Sequence, residues 1–461
     1  MITMIFYVVA MVALLYFVKR VILPILKQVY WRRYYTKFSN VYVSPQYVPL
    51  VGEFYNCIKD VRNGKYPFTT FRKNCKNKYS YDIECVSMTS TTFVSILSDE
   101  AKKQFVALVP HKVDRLPEVI MAGKLGPKGI AVSVSSEQLS NRKKVLLNML
   151  DLNKSSKHIP IIIDIMNQEC SKWVIPNTSI NIVDAIRYID LKLLRDILFG
   201  KNQVLDEKLH SYITPNNTTE RIDFITFYLN CIYEKTREFT LPIVHLFPFL
   251  SEYRLINPFI RNHKNRLTLF KVVRDAVKAC DYEKSVVYKI KNQAGLNIED
   301  YLDDMQLFMT TGPETLSYTL ANALYLLKKH PESLNKLISE LKKHGIDKDT
   351  DIKTVLTPEL LNEIDYLTFV AKEVLRYYPT TIRSLKYINS EDVEICGVKI
   401  PKGQKFHIDN LIKTRDPSEW HDPEKFIPER FDCKSELFFK PGTNKPRSLY
   451  CSTPFSLGPR V

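Results

Sequence analysis

Residues 372–376 read Lys-Glu-Val-Leu-Arg, and residues 426–431 read Phe-Ile-Pro-Glu-Arg-Phe. The first stretch continues a helical pattern that Pro379 closes, so Glu373 and Arg376 share one helix face and can form an ion pair. Alone, a pair of this kind is typical of a solvated helix surface. The pair is followed, however, by a proline- and aromatic-rich stretch, which indicates that the two segments belong to one structural motif.

The pattern of the chain changes towards its carboxyl end. From about residue 98 to 345, apolar residues recur at helical spacing. Residues 391–403 alternate instead and predict a β-hairpin, with Gly397 and Gly403 near its turns. Residues 415–431 show little periodicity and indicate a packed loop. We therefore expect one large domain that is mainly α with small β-sheets (α+β). The helical pattern is clearest over residues 161–170, 182–198, 224–234 and 267–290.

Residues 301–320 read Tyr-Leu-Asp-Asp-Met-Gln-Leu-Phe-Met-Thr-Thr-Gly-Pro-Glu-Thr-Leu-Ser-Tyr-Thr-Leu. The pattern predicts a long helix interrupted near its centre, where Pro313 lacks a backbone donor. An alternative is that a new helix starts at Pro313, since proline is favoured in the first helical position.

The chain ends with residues 454–461, Pro-Phe-Ser-Leu-Gly-Pro-Arg-Val. In their order and spacing, this stretch and the three above resemble motifs of the cytochrome P-450 family. These are the Glu-x-x-Arg helix, the Pro-x-Arg-Phe meander, the oxygen-groove helix Ala/Gly-Gly-x-Asp/Glu-Thr and the heme loop Phe-x-x-Gly-x-Arg-x-Cys. The resemblance covers roughly residues 30–461 and is densest after residue 300. It implies a cytochrome P-450-like single large domain.

The resemblance assigns roles to several side chains. Glu373, Arg376 and Arg430 would form a buried ionic triad, because burial requires that every charge be paired. Glu314 and Thr315 would be the catalytic acid–alcohol pair that delivers protons to bound dioxygen. Two residues depart from the groove motif, since Thr311 replaces a small apolar residue and Pro313 is unusual there.

The implied cofactor is heme b with its iron. Arg142, Arg383 and Arg460 are candidates for the heme propionates, because an arginine fork suits a carboxylate. An exposed surface position is the alternative for Arg142 and Arg383, and Gln138 stands where the family has a tryptophan before Arg142. Phe455 and Gly458, with Arg460, would shape the heme loop.

The loop pattern places the iron-ligand cysteine just beyond Val461, so no metal ligand is expected among the residues of this chain. Cys451 lies ahead of the loop and is not expected to substitute. We expect the chain as written to lack the carboxyl-terminal part of the domain, with an exposed apolar seam. A reassigned stop codon and a missed exon boundary are both open as causes.

Composition narrows the class of protein. The net charge of +16 could favour binding to nucleic acid, to anionic lipid or to an acidic protein partner. The sequence has no zinc-finger spacing or ribonucleoprotein aromatic motif, so we expect no nucleic-acid partner. The nine cysteines are scattered without a Cys-x-x-Cys pair, which fits reduced thiols facing the cytosol.

The amino terminus predicts a membrane anchor. Residues 1–18 carry no charged side chain and would rise about 27 Å as a helix, close to the thickness of a bilayer. Basic residues follow, and the first acidic one is Glu53, which favours a cytosolic downstream domain. A cleaved signal peptide and a buried helix are the alternatives. We expect a transmembrane signal-anchor over 1–20, a basic juxtamembrane linker over 21–43 and the catalytic domain over 44–461.

The resemblance to the cytochrome P-450 family, together with the anchor, implies a membrane-bound heme-thiolate monooxygenase of the endoplasmic reticulum. It would oxidise a lipophilic small molecule with dioxygen, using electrons from NADPH that arrive through a flavoprotein reductase docked on a basic face. One alternative is a heme-free, membrane-tethered binding module. Another is a heme enzyme that rearranges peroxides, against which the Glu314–Thr315 pair counts.

Overall fold

The structure is a computed structural model. The residues that it describes are 2–45, 47–49, 51–63, 79–88, 91–116, 128–150, 158–173, 179–240, 259–293 and 295–459. Helices dominate, and small sheets accompany them, which confirms the expected fold class.

The longer helices follow the apolar periodicity of the sequence, and polar caps mark several of their starts. Ser98 begins one helix and Asn181 another, each accepting a hydrogen bond from a backbone amide of the first turn. The α-helices are α1 Ile2–Phe17, α2 Leu23–Tyr35, α3 Phe54–Arg62, α4 Asp99–Leu108, α5 Glu137–Leu150, α6 Ile159–Cys170, α7 Ile182–Phe199, α8 Gln203–Asp206, α9 Phe224–Thr240, α10 Phe259–Ala279, α11 Val286–Asn292, α12 Leu302–Lys329, α13 Pro331–Lys343, α14 Ile352–Val355, α15 Pro358–Glu363 and α16 Asp365–Tyr377.

Among the described residues, the largest sheet is mixed and has six strands in the order β1-β2-β3-β10-β7-β4. Two separate hairpins, β5–β6 and β8–β9, complete the β-structure, and the second confirms the hairpin predicted for residues 391–403. The strands are β1 Val41–Val43, β2 Ile83–Met88, β3 Thr91–Ile96, β4 Val113–Arg115, β5 His210–Ile213, β6 Thr219–Ile222, β7 Tyr387–Asn389, β8 Val393–Ile395, β9 Val398–Ile400 and β10 Lys405–Ile408.

Three apolar clusters form the core of the described chain. The largest joins α7, α9, α10 and the first half of α12. A second lies between the six-stranded sheet and helices α2 and α4. The third joins the end of α12 to α13 and α16. Helix α12 contributes to two of the clusters and therefore connects the helical body to the part that carries the Glu-x-x-Arg motif.

The structure corrects two sequence-based expectations. Helix α12 runs without a break through Pro313, so neither the interrupted helix nor a new start at Pro313 is right. The helix expected over residues 267–290 is two helices, because the chain turns at Cys280 before Ser285 caps α11.

The amino-terminal helix extends further than the predicted anchor. A π-helical turn, Val18–Ile22, joins α1 to α2 with helical dihedral angles on both sides. By length and composition, this is the one helix among the described residues that could cross a membrane. Gln28 and Tyr35 of α2 are fully buried against the sheet, so much of the segment expected to be a linker is packed helix.

Candidate functional site

Glu373 lies at the centre of a fully buried cluster of charges. Arg376, one turn further along α16, donates from Nε and Nη2 to the two carboxylate oxygens, each at 2.7 Å. Arg430, in the 3₁₀ turn Pro428–Phe431, donates from Nε to Oε1 at 3.1 Å. All three side chains have an exposed fraction of 0%. One carboxylate thus joins two parts of the chain that are 57 residues apart.

The two arginines also bind the backbone of the loop between them. Arg376 Nη1 donates to the carbonyls of Thr414 and Pro423, both at 2.8 Å. Arg430 Nη2 donates to Asp422 O at 2.9 Å. A guanidinium offers five donors in a fixed fork, so each arginine can satisfy a carboxylate and several carbonyls at once. The proline-rich loop is therefore fixed by buried charge, although it has little regular structure.

The acid–alcohol pair lies in the middle of α12. Thr315 is exposed, and its Oγ1 donates to Thr311 O at 3.1 Å, inside the helix. Pro313 has no backbone N–H, so the carbonyl one turn earlier lacks its usual helical donor. Next to the exposed Thr311 and Thr315 runs an apolar stripe at four-residue spacing, formed by Leu316, Leu320 and Leu324.

Glu314 does not hydrogen-bond to Thr315. Its Oε2 instead accepts from Arg187 Nη2 of α7 at 3.2 Å. Arg187 also donates to Asp184 and to the hydroxyl of Tyr233, both at 2.7 Å. The carboxylate proposed to relay protons is therefore part of a polar network that includes α7 and α9.

Arg142 does not point to an open site. Its guanidinium lies 2.8 Å from Oδ2 of Asp304, a fully buried carboxylate at the start of α12. Burial raises the pKa of Asp304, and the Arg142 guanidinium opposes that rise. Asp304 also accepts from the backbone amide of Ile130 at 2.7 Å. As arranged here, Arg142 joins α5 to α12.

Arg383 and Arg115 lie on the sheet side of the domain. Arg383 is mostly buried; its Nη1 donates to the sulfur of Met88, and its Nη2 lies 4.0 Å from Glu84. Arg115 ends β4, and its guanidinium stacks 4.4 Å from the ring centre of Tyr387 on the paired strand β7. Arg115 was not among the residues predicted from sequence, because the β4–β7 pairing that positions it has no local signal.

The carboxyl-terminal loop rests against α4. Gly458 has a φ of +86°, and a Cβ there would lie 3.0 Å from Val106. Phe455 is 74% exposed, so its ring projects from the protein surface. Cys451 is buried, and burial raises its pKa to about 12, so it is a poor source of thiolate. Arg460, the remaining predicted residue, lies outside the described residues.

These residues fit heme in part. A porphyrin needs apolar surface for its ring and cations for its propionates. The leucine stripe beside Thr315 and the exposed Phe455 offer apolar surface for the ring. Arg383 and Arg115 offer cations for the propionates. Arg142 is less suited, because it lies 2.8 Å from the buried carboxylate of Asp304, whereas Arg383 lies 4.0 Å from Glu84. In the part of the chain that the structure describes, no cluster of three or more His, Cys, Asp or Glu side chains could hold a metal alone.

The buried triad of Glu373, Arg376 and Arg430 ties α16 to the loop that follows it, and α16 packs against α12, the long helix that carries Glu314 and Thr315. The chain belongs to the cytochrome P450 family, whose family model matches residues 44–461. Proteins of this family bind heme iron and receive electrons from NADPH through a reductase. The predicted family and cofactor are thus confirmed.

The chain is similar to mammalian proteins of this family. Cytochrome P450 3A41 of Mus musculus is 25% identical over 418 residues, which cover 84% of this chain and 77% of the relative. Cytochrome P450 3A12 of Canis lupus familiaris is 27% identical over 353 residues, covering 73% of this chain and 66% of the relative. Cytochrome P450 3A7 of Homo sapiens is 36% identical over 154 residues, which cover 33% of this chain and 28% of the relative.

Proposed function

We propose that this protein is a heme-thiolate monooxygenase that inserts one oxygen atom of dioxygen into a lipophilic substrate. Membership of the cytochrome P450 family supports the class, and the Glu314–Thr315 pair in the exposed middle of α12 carries the proposal. The apolar stripe of α12 next to that pair favours a lipophilic substrate.

When bound, the heme supplies oxygen binding and electron transfer, with a thiolate donating electron density to the iron. The residues of the protein supply positions and protons. The Thr315 hydroxyl would hold a proton or a water molecule at the oxygen site, and Glu314 would replenish it from solvent. Arg383 would bind a propionate, and Phe455, Gly458 and Arg460 would shape the heme-binding loop. We place the iron ligand at the position after Val461.

The partners follow from the same proposal. Electrons would arrive from a flavoprotein reductase that docks on a basic face, as the net charge of +16 favours. The segment 1–20 would anchor the protein in the endoplasmic reticulum, with residues 44–461 facing the cytosol. The described side chains of α1 are apolar and mostly exposed, and Lys19 and Arg20 follow them, which supports this orientation.

The iron ligand is tested by spectroscopy on the protein expressed with the residues that its transcript encodes after Val461. Heme-loaded, reduced protein exposed to carbon monoxide should give the red-shifted Soret band of thiolate ligation. Replacement of the residue after Val461 by serine should abolish the shift. If heme does not bind at all, the heme-free binding module is the better account.

Proton delivery is tested with Thr315→Ala and Glu314→Gln. Both should lower product formation relative to NADPH consumption, since positioned proton donors contribute on the order of 100-fold or more. Ser317→Ala is the matched control, because Ser317 is buried on another face of α12 and bonds only to the carbonyl of Glu314. If product formation relative to NADPH consumption is the same in Thr315→Ala and Glu314→Gln as in Ser317→Ala, the pair does not deliver protons.

A further inference from the structure

Two buried ion pairs lie side by side where α2 and the start of α3 meet the six-stranded sheet. In the first pair, Arg32 Nη1 of α2 donates to Glu53 Oε1 at 3.1 Å. In the second pair, Arg383 Nη2 lies 4.0 Å from Glu84 Oε2 of β2. The side chains of Glu53 and Glu84 are 1% and 4% exposed, so both carboxyl groups are shielded from water. The two pairs form one cluster, because the other three side chains all act electrostatically on Glu53.

Glu53 is mostly neutral at pH 7. Burial and, after it, the charge of Glu84 raise the pKa of Glu53 to about 8. Arg32 and the backbone amide of Ser87, which donates to Glu53 Oε2 at 2.6 Å, oppose this rise without cancelling it. A buried carboxyl group beside a like charge retains its proton to a higher pH, because both burial and the neighbouring charge disfavour its ionised form.

The charge of the cluster therefore changes close to neutral pH. The titratable and charged groups that face Glu53 are Arg32 of α2, Tyr47 before α3, Glu84 and Cys85 of β2, and Arg383. Burial raises the pKa values of Tyr47 and Cys85, so both side chains stay neutral between pH 7 and pH 9. Two guanidinium groups and the carboxylate of Glu84 then give the cluster one net positive charge below pH 8. Ionisation of Glu53 removes that charge above pH 8.

Arg383 is the member of the cluster that is suited to bind an anion. Its Nη1 donates to the sulfur of Met88 at 2.9 Å, and a thioether is a weak acceptor. Its contact with Glu84, at 4.0 Å, is longer than a hydrogen bond. An anionic oxygen forms shorter and stronger hydrogen bonds with a guanidinium than a neutral acceptor does. Arg383 would therefore gain by exchanging the thioether for an oxygen of a heme propionate.

We propose that Glu53 and Glu84 are positioning residues for the heme, because the proton on Glu53 decides whether the cluster has a positive charge available for a propionate at Arg383. This rests on the proposed binding of a propionate by Arg383. When Glu53 is neutral, two arginines face Glu84 and the propionate, and the charges cancel. When Glu53 is ionised, one buried negative charge remains uncompensated, which is costly. Heme affinity should therefore be full below pH 7 and fall as the pH rises above 8.

The test is a titration of hemin into the full-length, heme-free protein, followed by Soret absorbance at several pH values. Glu53→Gln and Glu84→Gln each leave two arginines and one carboxylate, so the net positive charge persists at every pH. Relative to either variant, the affinity of the wild type should fall about tenfold between pH 7 and pH 9, as one linked proton requires. The ratio of wild-type to variant affinity is the measured quantity, because thiolate ligation has its own pH dependence.

Glu234→Gln is the matched control. Glu234 is also a buried carboxylate paired with an arginine, since it lies 2.9 Å from Arg261, but it belongs to α9 in the helical body. The ratio of wild-type affinity to that of Glu234→Gln should not vary with pH. A loss of packing alone would lower the affinity of a variant without changing the shape of its pH profile.

A second measurement does not need heme. Infrared difference spectra of the heme-free protein between pH 9 and pH 7 should contain the carbonyl band of a carboxyl group that takes up a proton near pH 8. Glu53→Gln should lack this band, and Glu234→Gln should retain it. Hemin binding to the wild type should move the midpoint of the band to higher pH, because the propionate disfavours ionisation of Glu53. A glutamine variant that does not fold leaves this wild-type measurement to decide.

The outcomes separate this inference from the proposed function. If Arg383→Gln binds hemin as tightly as the wild type, Arg383 does not hold a propionate, and the inference is wrong together with that part of the proposed function. If Arg383→Gln weakens binding but the ratio of wild-type to Glu84→Gln affinity stays constant from pH 7 to pH 9, only the role of Glu53 and Glu84 is wrong. Absence of the infrared band from the wild type leads to the same conclusion.

Discussion

Glu373 illustrates how a single side chain can determine the path of a long loop. Its carboxylate accepts three hydrogen bonds from Arg376 and Arg430, and a fourth from the backbone amide of Ile427 at 2.9 Å. Buried ion pairs gain little over well-packed apolar groups, but breaking one leaves uncompensated charge. The cost of losing Glu373 therefore comes mainly from the two arginines that remain.

We expect Glu373→Gln to lower the free energy of unfolding by about 3–5 kcal/mol, because both guanidinium groups stay buried without a carboxylate. Urea unfolding followed by circular dichroism measures the change. Glu391→Gln is the control, since Glu391 forms a half-exposed pair with Lys112, and such pairs contribute about 0–1 kcal/mol. A loss in Glu373→Gln as small as that of the control would mean that water reaches the triad.

Lys102 is the second buried charge whose energetics can be measured. It is 1% exposed, and its Nζ donates to Tyr450 O at 2.9 Å. Burial lowers its pKa to about 8, against the attraction of Asp409 and Asp99. Between pH 8 and its ordinary pKa of 10.5, the unfolded chain binds one more proton than the folded chain. Stability from this group therefore rises with pH in that range.

Replacing Lys102 by methionine should remove this dependence. The stability advantage of Lys102→Met over the wild type should shrink by about 3 kcal/mol between pH 7.5 and pH 10.5, as the wild-type lysine loses its charge in both states. Urea midpoints at several pH values provide the measurement. Lys103→Met changes the exposed neighbouring lysine and should give a difference from wild type that does not vary with pH. A constant difference for Lys102→Met as well would contradict the burial argument.

At the scale of elements, the crossing of α7 and α12 sets the position of the proposed acid. A Cβ added at Gly312 would lie 2.8 Å from Leu194 Cδ1, so glycine allows the close approach of the two helices. This closeness lets Arg187 reach Glu314, two residues after Gly312. The glycine serves packing here, because its backbone conformation is ordinary helix.

Gly312→Ala should be nearly neutral or destabilising, because overpacking costs about 1–3 kcal/mol while alanine gains about 1 kcal/mol of helix propensity. In a Leu194→Ala background the clash is absent, and the same substitution should stabilise by about 1 kcal/mol. A double-mutant cycle from thermal unfolding measures this reversal of sign. Additive effects would show that α7 and α12 do not touch at this point.

The sequence predicts some of these elements well and others poorly, for a physical reason. Glu373 and Arg376 are one turn apart, so helical geometry alone places them together. Arg187 and Glu314 are 127 residues apart, and Arg142 and Asp304 are 162 residues apart. Their pairing depends on how two helices rotate against each other, which apolar periodicity does not determine. The same limit explains why Arg142 was expected at a propionate.

On the scale of the whole molecule, α12 links two cores and the amino-terminal helix links the sheet to the apolar α1. Helix α2 buries Tyr35 in the sheet core, and its Arg32 donates to the fully buried Glu53 at 3.1 Å. Because the π-helical turn continues the helix from α1 to α2, the direction of the apolar segment is set by packing on the sheet. A helix fixed in this way would hold the catalytic domain at a defined tilt on a bilayer.

Two deletions separate anchoring from folding. Removal of residues 2–17 should release the protein from membranes on carbonate washing and leave its urea midpoint unchanged, because the described side chains of α1 are largely exposed. Removal of residues 2–35 should also lower the midpoint strongly, since Glu53 loses Arg32 and the sheet loses Tyr35. If the longer deletion is as stable as the shorter one, α2 is a linker as its sequence suggests, and the domain does not depend on it for orientation.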